Sequence, residues 1–180
     1  QYAINNGAHV LSNSWGSSVF LQSLQDAITE AHNAGLLVVA AAGNSNTDTR
    51  FYPAAYEHVL AVAATDHNDA KASFSSYGLV SVDLGAPGVD ILSTVPGNSY
   101  SLASGTSMAT PHVAGVAALT FGRFPAVSAL DAKSLILNGA DPLDNLAGVV
   151  LTGARLNAFW PIAEPDSIPP DPVLDLAANE

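Results

Sequence analysis

Apolar residues recur along this chain in two alternating rhythms. Between positions 21 and 34, Leu21, Leu24, Ala27, Ile28 and Ala31 fall on one helical face, and Gly35 stops the pattern. That spacing predicts an amphipathic helix over 21–34. Residues 36–42 then run Leu-Leu-Val-Val-Ala-Ala-Ala with no polar interruption, which predicts a strand buried on both faces, as in a parallel sheet. A polar loop over 44–51 precedes a second apolar strand at 58–64. Residues 80–84 and 89–95 read as strands around the turn Ala86-Pro87-Gly88, and Pro96-Gly97-Asn98 signals a hairpin leading into 99–103. A small-residue helix covers about 106–122, and Ser128-Ala-Leu-Asp131 resembles a capping box opening a helix to about 138. Gly153–Ala158 reads as a last short helix, and Tyr2–Gly7 as a helix tail closed by glycine. A helix between two buried runs demands a parallel crossover, so the class is α/β with a mostly parallel sheet.

Three segments carry chemistry. Residues 104–115 read Ser-Gly-Thr-Ser-Met-Ala-Thr-Pro-His-Val-Ala-Gly. Gly105 allows close approach, Thr106 offers a capping hydroxyl, and Ser107 falls in the first turn, where free N–H groups and the helix dipole favour negative charge. Pro111 is accommodated because it comes early in the helix. Asn44 follows Gly43 at the carboxyl end of the 36–42 strand, where open α/β sheets place ligand groups, and its side-chain amide can aim at a developing oxyanion. His9–Gly16 reads as a short strand ending in small and aromatic residues. A strand edge there lets an extended peptide add as a further strand. Each segment has an ordinary structural reading too: a capped Ala-rich core helix, an Asn that starts a turn, and a Trp that fills a core.

Taken together and in this order, the three strings resemble the subtilisin-like serine proteases, the subtilases, over roughly residues 1–160. The resemblance implies a three-layer fold, a mostly parallel central sheet flanked by helices, here truncated on its N-terminal side. It implies that Ser107 is the nucleophile and Asn44 an oxyanion donor. Ser14, Trp15 and Gly16 would form one wall of the primary specificity pocket, with Ala41 and Gly43 opposite. It makes Tyr52-Pro53 a candidate cis bond, and the carbonyls of Ala54, Tyr56 and Val59 with the Asp83 carboxylate a candidate weak cation site. Oxygens of that kind suit Ca2+ or a monovalent cation; the chemistry itself requires no cofactor.

The family's other two catalytic residues have no counterpart here. A serine nucleophile needs a base and the base an orienting carboxylate, in the order Asp, His, Ser. Neither an Asp-Thr/Ser-Gly string nor a His-Gly-Thr-His string precedes Ser107. His112 lies five residues on along the same helix, ~140° around its axis, which predicts a place on the far side, out of reach. His9, His32, His58 and His67 are assigned structural or solvent-facing roles. The expectation is therefore the C-terminal part of a catalytic domain, with its Asp and His in a missing N-terminal part of the same domain, and little activity on its own. A non-catalytic peptide-binding module that keeps the groove remains the alternative. An α/β-hydrolase elbow is disfavoured, since Met108 and Ala109 follow Ser107 with no Gly at the second place.

Composition narrows the partners. Five Lys and Arg against sixteen Asp and Glu give a net charge of −11, which argues against nucleic acid. No run reaches the ~18 apolar residues of a membrane span. Cysteine is absent, so disulfides and thiolate metal sites are excluded. The expected partner is a polypeptide substrate and, from the resemblance, the expected location is extracellular. Residues 161–180 are rich in proline and acid and read as a stiff linker towards a further module.

Overall fold

The computed structural model describes residues 1–163. Its elements in chain order are helix α1 (Tyr2–Asn5), strand β1 (Val10–Asn13), helix α2 (Gln22–Asn33), strands β2 (Leu37–Ala41), β3 (Val59–Thr65), β4 (Leu84–Pro87), β5 (Ile91–Val95) and β6 (Ser99–Ala103), helices α3 (Thr106–Arg123) and α4 (Ala129–Asn138), and strands β7 (Asp141–Pro142) and β8 (Ala154–Arg155). A 3-10 turn at Trp160–Ile162 follows. Among the described residues one sheet runs in the order β1-β2-β3-β4-β8-β7. Strands β1 to β4 and β8 are parallel, and β7 pairs antiparallel to β8. Strands β5 and β6 form a separate antiparallel hairpin.

The uninterrupted apolar runs explain the layering. Leu37 and Val39 point to the face where Val113, Val116 and Ala117 of α3 and Ile136 of α4 pack, while Val38 and Ala40 point to Ile28 and Ala31 of α2. Strand β2 is thus covered on both sides and every residue of it is buried, the condition under which a parallel strand loses its polar alternation. The α/β class and three-layer arrangement expected from the sequence hold.

Several local expectations change. The strand assigned to 80–84 starts at Leu84, because pairing begins at Val62↔Leu84 and Val80 points into solvent, 88% exposed. Ala86-Pro87 closes β4 rather than turning: Pro87 is the last paired residue, and Gly88 N takes up the bond to the Thr65 carbonyl. The short helix expected at 153–158 is instead β8. Ala154 is buried, and Arg155 is drawn into the sheet end by Asp69 at 2.7 Å and Asp141 at 2.8 Å. The Ser128 cap is present: its hydroxyl accepts from Asp131 N at 3.1 Å and donates to the Asp131 carboxylate at 2.7 Å. Of the segment read as a linker, Pro161 is buried in the 3-10 turn, and residues 164–180 lie outside the described residues.

Candidate active site

Strand β2 ends beside the start of α3, although 62 residues separate Asn44 from Thr106. Three bonds hold them together. Asn44 Oδ1 accepts from Thr106 N and from Thr106 Oγ1, each at 2.9 Å, and Thr106 Oγ1 in turn accepts from Gly43 N at 3.2 Å. Thr106 is therefore no cap of its own helix. Gly105 holds the N-cap position, and the Thr106 hydroxyl ties the helix to the strand. Gly88 completes the junction, accepting from Gly105 N at 2.8 Å. A Cβ on Gly88 would stand 2.5 Å from that of Ala64, so only glycine fits.

Because Asn44 Oδ1 is engaged with Thr106, its amide nitrogen turns towards the helix start. The position a Cβ on Gly105 would take lies 3.4 Å from Asn44 Nδ2 and 3.7 Å from Ser107 N. Two N–H groups, one side-chain and one backbone, thus lie within 4 Å of a single point at a helix N-terminus, where the dipole also favours negative charge.

Ser107 is half-buried and faces β1's outgoing loop. Its hydroxyl donates to the Ser14 carbonyl at 3.2 Å, and the Ser14 hydroxyl donates to the Ser107 carbonyl at 2.8 Å. Pro111 makes the second bond possible. It is the sixth residue of α3, further in than the sequence suggested, and has no N–H to offer the Ser107 carbonyl. Ser14 supplies the missing donor.

The candidate cleft residues converge in part. The Phe51 ring lies against both Gly16 and Gly43. A Cβ on Gly16 would lie 2.3 Å from Phe51 Cε1, and one on Gly43 3.1 Å from Phe51 Cγ. Ala41 is buried at the end of β2. Trp15 is 54% exposed and borders a different cavity, of about 150 Å3, with Ile4, Leu24, Ile28 and Pro53. The Tyr52–Pro53 bond, for which the sequence left both isomers open, is cis. Lys71 holds the loop after Asn44, donating to Asn46 Oδ1 at 2.7 Å and to the Ser75 carbonyl at 3.1 Å; burial lowers its pKa from the usual lysine value.

His112 is not on the far side of α3. It lines one shallow depression with Ser107, Met108, Pro111 and Ile91–Ser93 of β5. Its Nδ1 nevertheless pairs with the Met108 carbonyl at 2.9 Å, one turn back on its own helix. The hydrogen bond recorded from the Ser107 hydroxyl goes to Ser14, not to this imidazole.

Ala54, Tyr56, Val59 and Asp83 do gather around one depression of about 300 Å3, and Lys133 from α4 enters it. Lys133 Nζ donates to the Val59 carbonyl at 2.8 Å and stands 3.5 Å from Asp83 Oδ1. Asp83 Oδ2 accepts from Ala61 N at 2.6 Å. A resident ammonium thus occupies the position of the charge, and the residues as arranged do not fit a metal ion there. Sequence reasoning missed Lys133, as it missed Phe51 and the Thr106 tie; each acts across the fold and leaves no local pattern.

A serine in the first turn of α3, with an amide nitrogen brought near it from the end of a central parallel strand, is an arrangement that a nucleophile with an oxyanion donor would require. The chain belongs to the subtilase family, whose model matches residues 1–156. It is 48% identical over 160 residues to thermitase of Thermoactinomyces vulgaris, covering 88% of this chain and 55% of that protein. It is 47% identical over 145 residues to alkaline elastase YaB of a Bacillus species, covering 81% and 38%. Among solved structures, the prenylagaramide maturation protease PagA superposes with a TM-score of 0.80 at 30% identity, covering 89% of this chain and 63% of that one. The chain therefore spans about one third to two thirds of the length of the proteins it matches.

Proposed function

We propose that the protein carrying this chain is a serine endopeptidase and that these residues are its nucleophile and oxyanion half. Ser107 Oγ attacks the scissile carbonyl carbon. A histidine base oriented by a carboxylate, both from residues outside this chain, takes the hydroxyl proton and passes it to the leaving amine. The oxygen that becomes negative lies between Asn44 Nδ2 and Ser107 N. Water then hydrolyses the acyl-serine. Ser14–Gly16, Ala41 and Gly43 line the bound peptide. The segment that follows β1, Ser14–Gly16, lies against the start of α3 and suits main-chain pairing with an extended peptide. The relatives' names support proteolysis, and an extracellular setting is part of the same proposal. No helix among the described residues is long and apolar enough to cross a membrane.

The observation that carries this reading is the placement of Asn44 Nδ2 and Ser107 N within 4 Å of one point. The test is labelling of the full-length protein by a fluorophosphonate together with peptide hydrolysis, each abolished by Ser107→Ala. Peptide binding without labelling or turnover would leave the non-catalytic groove as the function instead.

A further inference from the structure

Glycines in the walls of a substrate cleft ordinarily leave a slot, because they carry no Cβ. Here that slot is filled from within. The Phe51 ring spans it: Cε1 and Cζ stand 2.3 and 2.8 Å from where a Gly16 Cβ would be, and Cγ and Cδ1 stand 3.1 and 3.2 Å from where a Gly43 Cβ would be. The backbone at and after Phe51 is held in place. Ser17 and Tyr52 exchange two main-chain bonds, of 2.8 and 2.7 Å, and the Phe51 carbonyl accepts from Ala55 N at 2.9 Å. The ring cannot leave the slot by a change of side-chain rotamer without abandoning its packing against the two glycines.

We propose that Phe51 closes the specificity pocket and restricts the substrate residue whose carbonyl is attacked to the size of glycine or alanine. The inference rests on the reading of Ser107 as nucleophile and of 14–16 and 41–43 as cleft walls. A methyl group stops at the ring. A leucine, phenylalanine or lysine side chain needs the volume that the ring already occupies, and a close-packed pocket does not expand to share it. The polar contacts of the scissile residue with Asn44 and Ser107 are the same for every side chain, so discrimination comes from this steric term.

The experiment uses the full-length protein and peptides identical except for Ala, Leu or Phe before the cleaved bond. The wild type is expected to favour Ala over Phe in kcat/KM by ~10²-fold or more, the range that pocket fit supplies. Phe51→Gly is expected to cut that ratio at least ~10-fold, with Phe51→Leu between the two. A wild type that cleaves after Phe as readily as after Ala overturns the proposal, as does a Phe51→Gly or Phe51→Leu protein with the ratio unchanged. Should no peptide be cleaved and Ser107 resist the fluorophosphonate, the peptidase reading fails by itself. The pocket is then tested by calorimetric binding of product peptides ending in Ala or Phe. A preference for Ala that is lost in Phe51→Leu supports the plug, and equal affinities in the wild type overturn it.

Discussion

Ser14 and Ser107 are joined by a reciprocal pair of hydrogen bonds, each hydroxyl donating to the other's carbonyl, at 2.8 and 3.2 Å. The pair locks the loop after β1 to the first turn of α3, and so fixes that loop against the proposed nucleophile. Its shorter bond exists because Pro111 leaves the Ser107 carbonyl without a helical partner. Replacing Ser14 with Ala removes one net hydrogen bond and is expected to lower stability by about 1 kcal/mol. In a Pro111→Ala background the restored N–H satisfies the Ser107 carbonyl, and Ser14→Ala should then cost measurably less. Denaturant unfolding of the two single variants and the double variant gives the coupling. Additive effects would show that Pro111 and Ser14 do not compete for one carbonyl.

Asn44 has two jobs on two atoms: its oxygen anchors Thr106, and its nitrogen faces the helix start. Asn44→Ala removes both, so it should reduce turnover and stability together. The turnover loss expected is ~10²–10³-fold, a magnitude taken from the corresponding donor in subtilisin, a relative of this chain. Asn44→Asp keeps an acceptor for Thr106 but puts a negative oxygen where the donor stood. Melting close to that of wild type with turnover abolished is expected for it. An Asn44→Asp protein that retains turnover would remove Asn44 from the oxyanion role.

The parts legible in the sequence are those whose signal is local. Continuous burial of β2 shows as seven apolar letters, the Ser128 cap as a hydroxyl three residues before a carboxylate, and the β5–β6 hairpin as Pro-Gly-Asn. Ser107 and Asn44 were legible through whole-string resemblance, since nothing local brings a strand end to a helix start across 62 residues. Three local signals misled. Gly153-Ala-Arg155 has helical letters, but the pull of Asp69 and Asp141 on Arg155 outweighs so weak a propensity. Ala86-Pro87-Gly88 has turn letters, but a proline at the last paired position of a strand gives up no ladder bond. His112 was placed by angle around the helix axis alone, whereas the β5–β6 hairpin folds over that flank and makes one depression of it. Phe51 and Lys133 were not legible at all, because each matters only for what it fills.

A pH response follows from His32. Its ring stacks on that of His58 at 4.0 Å, nearly parallel, on the side of the sheet covered by α2. Burial lowers its pKa from the usual value near 6.5, and the charges of His58 and Lys133 lower it further. The unfolded chain therefore takes up a proton at His32 before the folded one does. Stability contributed here is complete above about pH 6.5 and is lost as the pH falls from there through the folded-state pKa. His32→Gln should flatten that part of the curve of unfolding free energy against pH while leaving the neutral region little changed. An identical acid slope in His32→Gln and wild type would remove His32 as its source.

Lys133 bears on cation dependence, and the prediction there concerns what happens when the built-in charge is taken away. Its ammonium bonds the Val59 carbonyl and faces the Asp83 carboxylate, whose side chain is only 13% exposed. Truncation to Lys133→Met leaves that carboxylate without its counter-charge beside the backbone oxygens of the 54–59 turn. The cost expected is roughly 1–3 kcal/mol, as for loss of a hydrogen bond to a charged group. The same oxygens then form a set of the kind hard cations take, carbonyls with one carboxylate. Any ion that binds the folded form and not the unfolded one raises stability by mass action. Lys133→Met is therefore expected to melt several degrees higher in potassium or calcium chloride than in choline chloride at equal ionic strength. The gain should disappear when Asp83→Asn is added. The wild type should show no Asp83-dependent gain, because its own ammonium already fills the position. A wild-type protein stabilised by calcium or potassium through Asp83 would mean that Lys133 yields the site to a metal, and a Lys133→Met protein indifferent to both ions would mean that the carbonyls do not converge closely enough to hold one.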